Sequence, residues 1–297
     1  MDSSYLACDT YLNRKRRAQD STMVISERAR FYAKYYQQNF SMPDSIIFYV
    51  AKNPNTAALY LKMVKSCKYF FVKNPIIIIK NLHADGGEWR SDNLPLNLTK
   101  YNCKYWITDE IKASASELIN RNIFSSIIPK LYQCDVKYIS VSDQIISFND
   151  LSLIISSAEW IDFINVIVKH ADSSDIPLED IIAIAVNAKF VSVDKPTITA
   201  KTMKELTKLA NFLKLDGLTL SHLTEVFDID VFYDYMKKNQ HTKFYISFFP
   251  QPSDAFKNRL KTIADEILET KEFDYKPHVI YFTGVGLQKL HQLSDSH

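Results

Sequence analysis

The side chains of this 297-residue sequence best suited to catalysis or metal binding are its histidines, cysteines and paired carboxylates, and their spacing limits what they can do. His83, His170, His222, His241, His278, His291 and His297 form no H-x-H or H-x-x-x-H pair. The two-nitrogen cradle that opens most zinc and iron sites is therefore missing. Cys8, Cys67, Cys103 and Cys134 form no C-x-x-C pair. A reactive thiolate needs a neighbouring base or cation, whereas Cys67 is expected in an apolar helical face. Asp109-Glu110, Glu179-Asp180 and Asp265-Glu266 are sequence neighbours, which on a helix point in different directions and make no acid/base couple. Gly284-Val285-Gly286 follows a predicted strand and precedes a helix, the context of a phosphate-cradling loop. Lys289 stands at its third glycine position, however, and no acidic residue follows at the ribose-binding distance. No Walker sequence or G-x-S-x-G elbow occurs. The reading is of a chain that is not an enzyme, with no catalytic residue, metal or cofactor. A diverged α/β nucleotide-binding enzyme is the competing class.

The bulk properties agree. Hydrophobic residues at 46% and charged residues at 24% describe a folded protein and exclude a disordered one. A net charge of +2 gives no electrostatic reason to expect nucleic-acid binding. Only 5 glycines occur, too few for glycine-rich phosphate loops or for sandwiches built on many tight turns. The longest apolar run, Ile76-Ile77-Ile78-Ile79, is far short of the ~20 residues of a membrane helix and reads as a buried strand. A polar N-terminus with no signal-like apolar stretch predicts a cytoplasmic or nuclear protein with reduced thiols. Residues 1–25 read as a disordered basic tail, in which Arg14 to Arg17 are either a nuclear import signal or a solvated charge run.

The elements that would carry any site recur. Apolar residues at the first, fourth and sixth positions of Val136–Val141 return at Ile161, Ile164 and Val166, at Ala188, Val191 and Val193, and at Leu215, Leu218 and Leu220. Looser copies centre on Ile246 and Ile280. From Ile139 the central residues lie 25, 27, 27, 28 and 34 residues apart. Each interval holds one helical face: Phe148, Leu151, Ile154 and Ile155; Leu178, Ile181, Ile182 and Ala185; Met203, Leu206 and Ala210; Phe232, Tyr235 and Met236; and Phe256, Leu260, Ile263 and Ile267. Asp228 and Ser253-Asp254 suit helix starts, and Pro177 suits a first turn. One strand and one helix per interval, stacked, make a parallel sheet with helices on one side; a doubly wound sheet is the competing arrangement. Upstream, Ile76–Leu82 and Cys103–Thr108 read as strands, Leu118–Tyr132 as a helix, and Ala84–Asn97 as an exposed loop.

The segment Leu215-x-x-Leu218-x-Leu220-x-x-Leu223 resembles the strand motif of leucine-rich repeats. That family carries Asn or Cys at the ninth position; here Gln144, Lys169, Pro196, Leu223, Gln251 and Val285 stand there. The resemblance implies an irregular leucine-rich-repeat-like α/β solenoid over 74–297, held by aliphatic packing instead of an asparagine ladder.

Residues 26–73 form a separate unit. A short helix after Pro43, a polar turn at Asn53-Pro54-Asn55 and an amphipathic helix from Thr56 are expected. Pro43, the aliphatic pair Ile46-Ile47, and the ending Val64, Cys67, Lys68 and Phe70 resemble an F-box, with Met42, Ser45 and Phe70 where the family has Leu, Glu and Trp. A plain pair of capping helices is the other reading. An F-box before leucine-rich-like repeats, in an aromatic-rich chain rich in Lys, Asn and Ile, resembles expanded nematode F-box-like families. The resemblance implies that Pro43, Ile46, Ile47, Val50, Leu61 and Val64 contact a Skp-type adaptor of an SCF ubiquitin ligase, while the repeats bind an unknown protein substrate. Tyr138, Phe163, Phe190 and Tyr245 hold the third position of their strand motifs. An aromatic stripe on the concave face would bind substrate; alternatively these rings pack on one another or on a helix.

Overall fold

The computed structural model describes residues 40–85, 87–92, 94–99, 102–115, 121–239, 241–249, 252–269 and 279–282. The basic tail with Arg14 to Arg17, and Gly284-Val285-Gly286, lie outside these residues. The chain divides into two compact units, 1–75 and 76–297.

In the first unit three short helices follow one another: α1 (Asp44–Lys52), α2 (Ala57–Ser66) and α3 (Lys68–Lys73). Each start is set locally. Pro43 precedes α1, where its missing N–H is no loss. Thr56 accepts a hydrogen bond from Leu59 N and caps α2. Cys67 is extended, breaks the chain between α2 and α3, and accepts from Tyr69 N. Ala51, Cys67 and Phe70 form a small core against which Val50, Met63, Val64 and Tyr69 pack. The Asn74 side chain donates to Ala51 O at 3.1 Å, and Tyr60 Oη donates to Asn74 O at 2.7 Å, tying the ends of α1 and α3 together.

The second unit is α/β, built on an open, mostly parallel sheet of 11 strands among the described residues. Strands β1 (Ile76–Asp85), β4 (Lys104–Ser114), β6 (Tyr138–Ser142), β8 (Trp160–Ile164), β10 (Phe190–Asp194), β11 (Gly217–Leu223), β12 (Lys243–Phe248) and β13 (Val279–Phe282) lie side by side in chain order, every pair parallel. Strand β5 (Leu131–Cys134) pairs with β4, and β7 (Ile145–Ser147) pairs with β9 (Ile167–Lys169) in a second small parallel sheet. Two inward rows run across the main sheet. Leu82, Ile111, Ile139, Ile161, Val191, Leu218 and Phe244 are paired in register, as are Ala84, Ala113, Val141, Phe163, Val193, Leu220, Ile246 and Ile280.

Against these rows pack the helices α5 (Phe148–Ile155), α6 (Leu178–Ile184), α7 (Thr202–Leu206) and α8 (Ile229–Lys238), with the long α9 (Asp254–Glu269) and the single turn α4 (Phe124–Ile127), in one continuous core. Their apolar faces are those the periodicity predicts, except that Ala210 lies beyond α7 and is exposed. Asp228 caps α8 through Val231 N, Ser147 caps α5 through Asp150 N, and Pro177 precedes α6.

Three expectations are corrected. The loop foreseen at 84–97 contains the antiparallel strands β2 (Glu88–Ser91) and β3 (Leu94–Pro95), added to the edge of β1. They are held by buried Trp89, whose indole N–H donates to Ile123 O and Ser126 Oγ. In place of a helix over 118–132, the described part gives one helical turn, a 3-10 turn at Ile128–Lys130, and β5; Pro129 removes the N–H a longer helix would need. The repeat register also shifts at β8. Ile139, Val191 and Leu218 do share a row, but Ile161 completes it, whereas Ile164 pairs with Ser142 on the opposite side and is 45% exposed.

Strands β6, β8, β10 and β11 each meet a left-handed backbone corner at a matching place: Asp143 (φ 55°), Asn165 (53°), Lys195 (53°) and His222 (56°). Backbone bonds hold successive corners, from Asp143 N to Ile164 O at 2.9 Å and from Lys195 N to Ser221 O at 2.9 Å.

Candidate functional site

Because the helices cover one side of the main sheet, alternate strand residues face the other side, which the described residues of this unit leave open. Glu110, Tyr138, Trp160, Phe190, Gly217 and Lys243 form one row of that face, and His83, Lys112, Ser140, Asp162, Ser192, Thr219 and Tyr245 the next. The first row contains a run of three rings. Trp160 and Phe190 stack at 4.5 Å between centroids, and Tyr138 lies 6.3 Å from Trp160. Lys112 sits over the Tyr138 ring at 5.3 Å. Gly217 is where the row turns hollow. A Cβ there would stand 2.9 Å from Phe190 Cδ1, so glycine is what lets the Phe190 ring keep its place against Trp160. Trp160, Phe190, Ser192, Gly217, Thr219 and Tyr245, with Asp216 and Lys243 at the strand ends, line a hollow of about 530 Å³.

Of the four aromatic residues assigned to substrate binding, Tyr138, Phe190 and Tyr245 are on this face. Phe163 is not. It is 1% exposed and belongs to an inward row, one residue out of phase with the expected alternation. The residue that takes its place is Trp160, 45% exposed, which the sequence reading missed. Its signal was available: Asp162 between Ile161 and Phe163 marks the outward phase of β8, and Trp160 shares that phase.

Charges are ordered around the rings. At the amino ends of the strands Lys137, Glu159, Lys189 and Asp216 follow one another through backbone hydrogen bonds, alternating in sign. Lys189 Nζ bonds Glu159 at 2.6 Å, which holds the Glu159 carboxyl below its ordinary range and raises the Lys189 ammonium. His241 meets Asp216 at 2.8 Å. On the face itself, burial pushes the Glu110 carboxyl up, but hydrogen bonds with Lys112 and His83 outweigh it and leave it lowered. His222 pairs with Asp194 at the corner. Each of these carboxylates is already engaged within the sheet. Among the described residues no group of three or more His, Cys, Asp or Glu is placed to hold a metal ion. Nor does any helix there have the length and apolarity to cross a membrane.

Cys134 is buried, and burial drives its thiol up to about 12, the opposite of an activated nucleophile. Burial also raises Cys103. Among the eight parallel strands no crossover skips a neighbour, so the described sheet lacks the strand-order reversal at which doubly wound sheets open a ligand crevice between parallel strands.

In the helical unit the six residues assigned to adaptor contact separate by burial. Pro43, Ile46 and Leu61 are exposed, the last two at 47% and 41%. Val50 and Val64 are half-buried against the small core, and Ile47 is buried. Met42, Phe48, Tyr49 and Leu59 add further exposed apolar surface. The sequence pattern had mixed residues that hold the helices together with residues that face outward.

Comparison of the chain with protein-family models gave no match, and comparison with curated proteins gave none at a significant level.

Proposed function

We propose that this chain is a protein-binding adaptor without chemistry of its own: an irregular leucine-rich-repeat-like solenoid with an F-box-like helical module before it. The observation that carries the reading is the open face of the parallel sheet, with its aromatic row Tyr138, Trp160 and Phe190 and the neighbouring Tyr245. Strands in chain order, helices on one side and a corner repeated at Asp143, Asn165, Lys195 and His222 support a one-dimensional stack in which each repeat touches mainly its neighbours. Such stacks offer a long surface, and rings at its centre supply interface energy at low entropic cost.

In this reading the open face receives a protein substrate. The helical unit engages a Skp-type adaptor of an SCF ubiquitin ligase through Pro43, Ile46 and Leu61, and the protein works in the cytoplasm or nucleus. Ile47, Val50 and Val64 support that contact from beneath instead of making it.

The test is co-purification of the full chain with a purified Skp-type adaptor, beside an Ile46→Asp, Leu61→Asp double variant. Both positions are exposed, so the variant is expected to fold, which circular dichroism checks. Complex formation by the wild type and loss in the variant support the adaptor role. A folded wild-type chain that forms no complex removes the ubiquitin link and leaves a repeat scaffold.

A further inference from the structure

The geometry points to a specific occupant for the hollow at Gly217: an extended partner segment that crosses the strands and carries a basic residue, an aromatic residue and an acidic residue at alternate positions. This inference rests on the reading of the open face as a docking surface and names what that surface prefers. Two charges on the face have no ion-pair partner among the described residues, and they have opposite signs. Asp162 on β8 only accepts a hydrogen bond from Ser140 Oγ at 3.3 Å, while the Lys243 ammonium on β12 meets no carboxylate. Every other charge beside the hollow is matched: Lys189 by Glu159, and Asp216 by His241.

Strands β8, β10, β11 and β12 are consecutive neighbours, and Asp162 lies one outward row from Lys243, so the two charges are three strand spacings across and two residues along the sheet, about 16 Å apart. Four residue steps of an extended chain crossing diagonally cover about 14 Å, and the flanking long side chains span the remainder. The middle of that span falls between the Trp160–Phe190 stack and Tyr245, where Gly217 and Thr219 leave space and the walls are aromatic. A ring inserted there gains offset or edge contacts with both walls. The flanking basic and acidic side chains then meet Asp162 and Lys243 respectively. Alternation follows because every second side chain of an extended segment faces the same way.

The experiment uses the full chain and four fluorescein-labelled peptides of core sequence Lys-Gly-Trp-Gly-Glu, Lys-Gly-Ala-Gly-Glu, Lys-Gly-Trp-Gly-Lys and Glu-Gly-Trp-Gly-Glu, read by fluorescence anisotropy. The first is expected to bind most tightly, with a loss of about 30-fold on removing the ring. Lys243→Glu, at an exposed position, is expected to invert the preference toward Lys-Gly-Trp-Gly-Lys. Failure of the first peptide to bind, or an unchanged order of preference in Lys243→Glu, overturns the inference. A second arm separates that failure from failure of the docking surface itself. Random seven-residue peptides are displayed, selected on the wild type and rebound to Gly217→Val, in which the added side chain meets the Phe190 ring and occupies the hollow, and to Trp160→Ala. Selected peptides that need the hollow but lack the charge order leave the docking face standing and overturn the inference. Selected peptides indifferent to both substitutions overturn both.

Discussion

Phe163 and Ile164 are adjacent, both large and apolar, and in the fold they face opposite ways, so truncating each to alanine measures the register of the whole sheet. Phe163 is 1% exposed within an inward row between Val141 and Val193. Phe→Ala at such a site loses the transfer free energy of the ring and leaves a cavity that flanking strands cannot close, about 3–5 kcal/mol. Ile164 is 45% exposed, so roughly half of a full isoleucine burial is at stake. That is about 1 kcal/mol, with no cavity because water fills the space. The difference of ~3 kcal/mol corresponds to melting midpoints about 6–12 °C apart for a domain of this size. The assay is thermal unfolding of the two variants followed by far-ultraviolet circular dichroism. Equal midpoints, or Ile164→Ala the less stable of the two, would refute the register and with it the outward aromatic row, because Trp160 and Phe163 cannot share a face of β8.

Four further outcomes follow from the same geometry. Trp89 and Trp106 are buried and Trp160 is not, so iodide is expected to quench one component of the tryptophan emission, and Trp160→Phe to abolish it; residual quenching in that variant contradicts the exposed row. With its thiol raised to about 12, Cys134 is thiolate in only ~1 molecule in 10⁴ at pH 8 and should resist iodoacetamide until urea unfolds the chain, as peptide mapping by mass spectrometry would show. Since the folded state keeps the Cys134 proton to higher pH than the unfolded state does, the same burial contributes stability that is constant below pH 9 and is lost as pH rises from there toward 12, a slope that Cys134→Ala should reduce in urea titrations. Lys195 holds a left-handed corner that Asn tolerates better, so Lys195→Asn is expected to raise stability by ~0.5–1 kcal/mol in the same titrations, and destabilisation would count against the corner.

How far the sequence could be read varied with the kind of signal. Helix faces were legible because three or four apolar residues on one stripe have few rival explanations: Leu151, Ile154 and Ile155 are buried as the periodicity requires. The helix start at Thr56 and the caps at Ser253 and Asp228 were equally local. Strand phase was not. In Ile161–Val166 both alternations contain large apolar residues, since this sheet carries rings and isoleucine on its open side as well as on its core side. A pattern of apolar residues alone then fits two phases, and spacing to the next repeat chose the wrong one because the step from Ile139 to its true partner Ile161 is shorter than the later steps. The buried Trp89 hairpin was hidden for a different reason: its surroundings are polar, and one indole with two hydrogen-bond acceptors anchors it.

In the proposed leucine-rich-repeat-like reading, the missing asparagine ladder makes the repeat hard to recognise by residue identity. A family in which one side chain satisfies neighbouring backbones must keep that side chain in every repeat. Here the comparable linking is divided among unlike groups in different repeats. The buried Gln144 carbonyl accepts from Ile123 N, Asn187 donates to Ser156 O, Asn211 to Ile182 O and Ala185 O, and Thr242 Oγ1 to Leu215 O. The corners are made by Asp, Asn, Lys and His: main-chain bonds hold Asp143 and Lys195, whereas the Asn165 side chain donates to Asp143 Oδ1 and His222 pairs with Asp194. What stays constant from strand to strand is therefore the backbone path and the inward apolar pairing, both tolerant of substitution. The positions with least duty in the core are those on the open face, where the sequence places rings and two charges unmatched among the described residues.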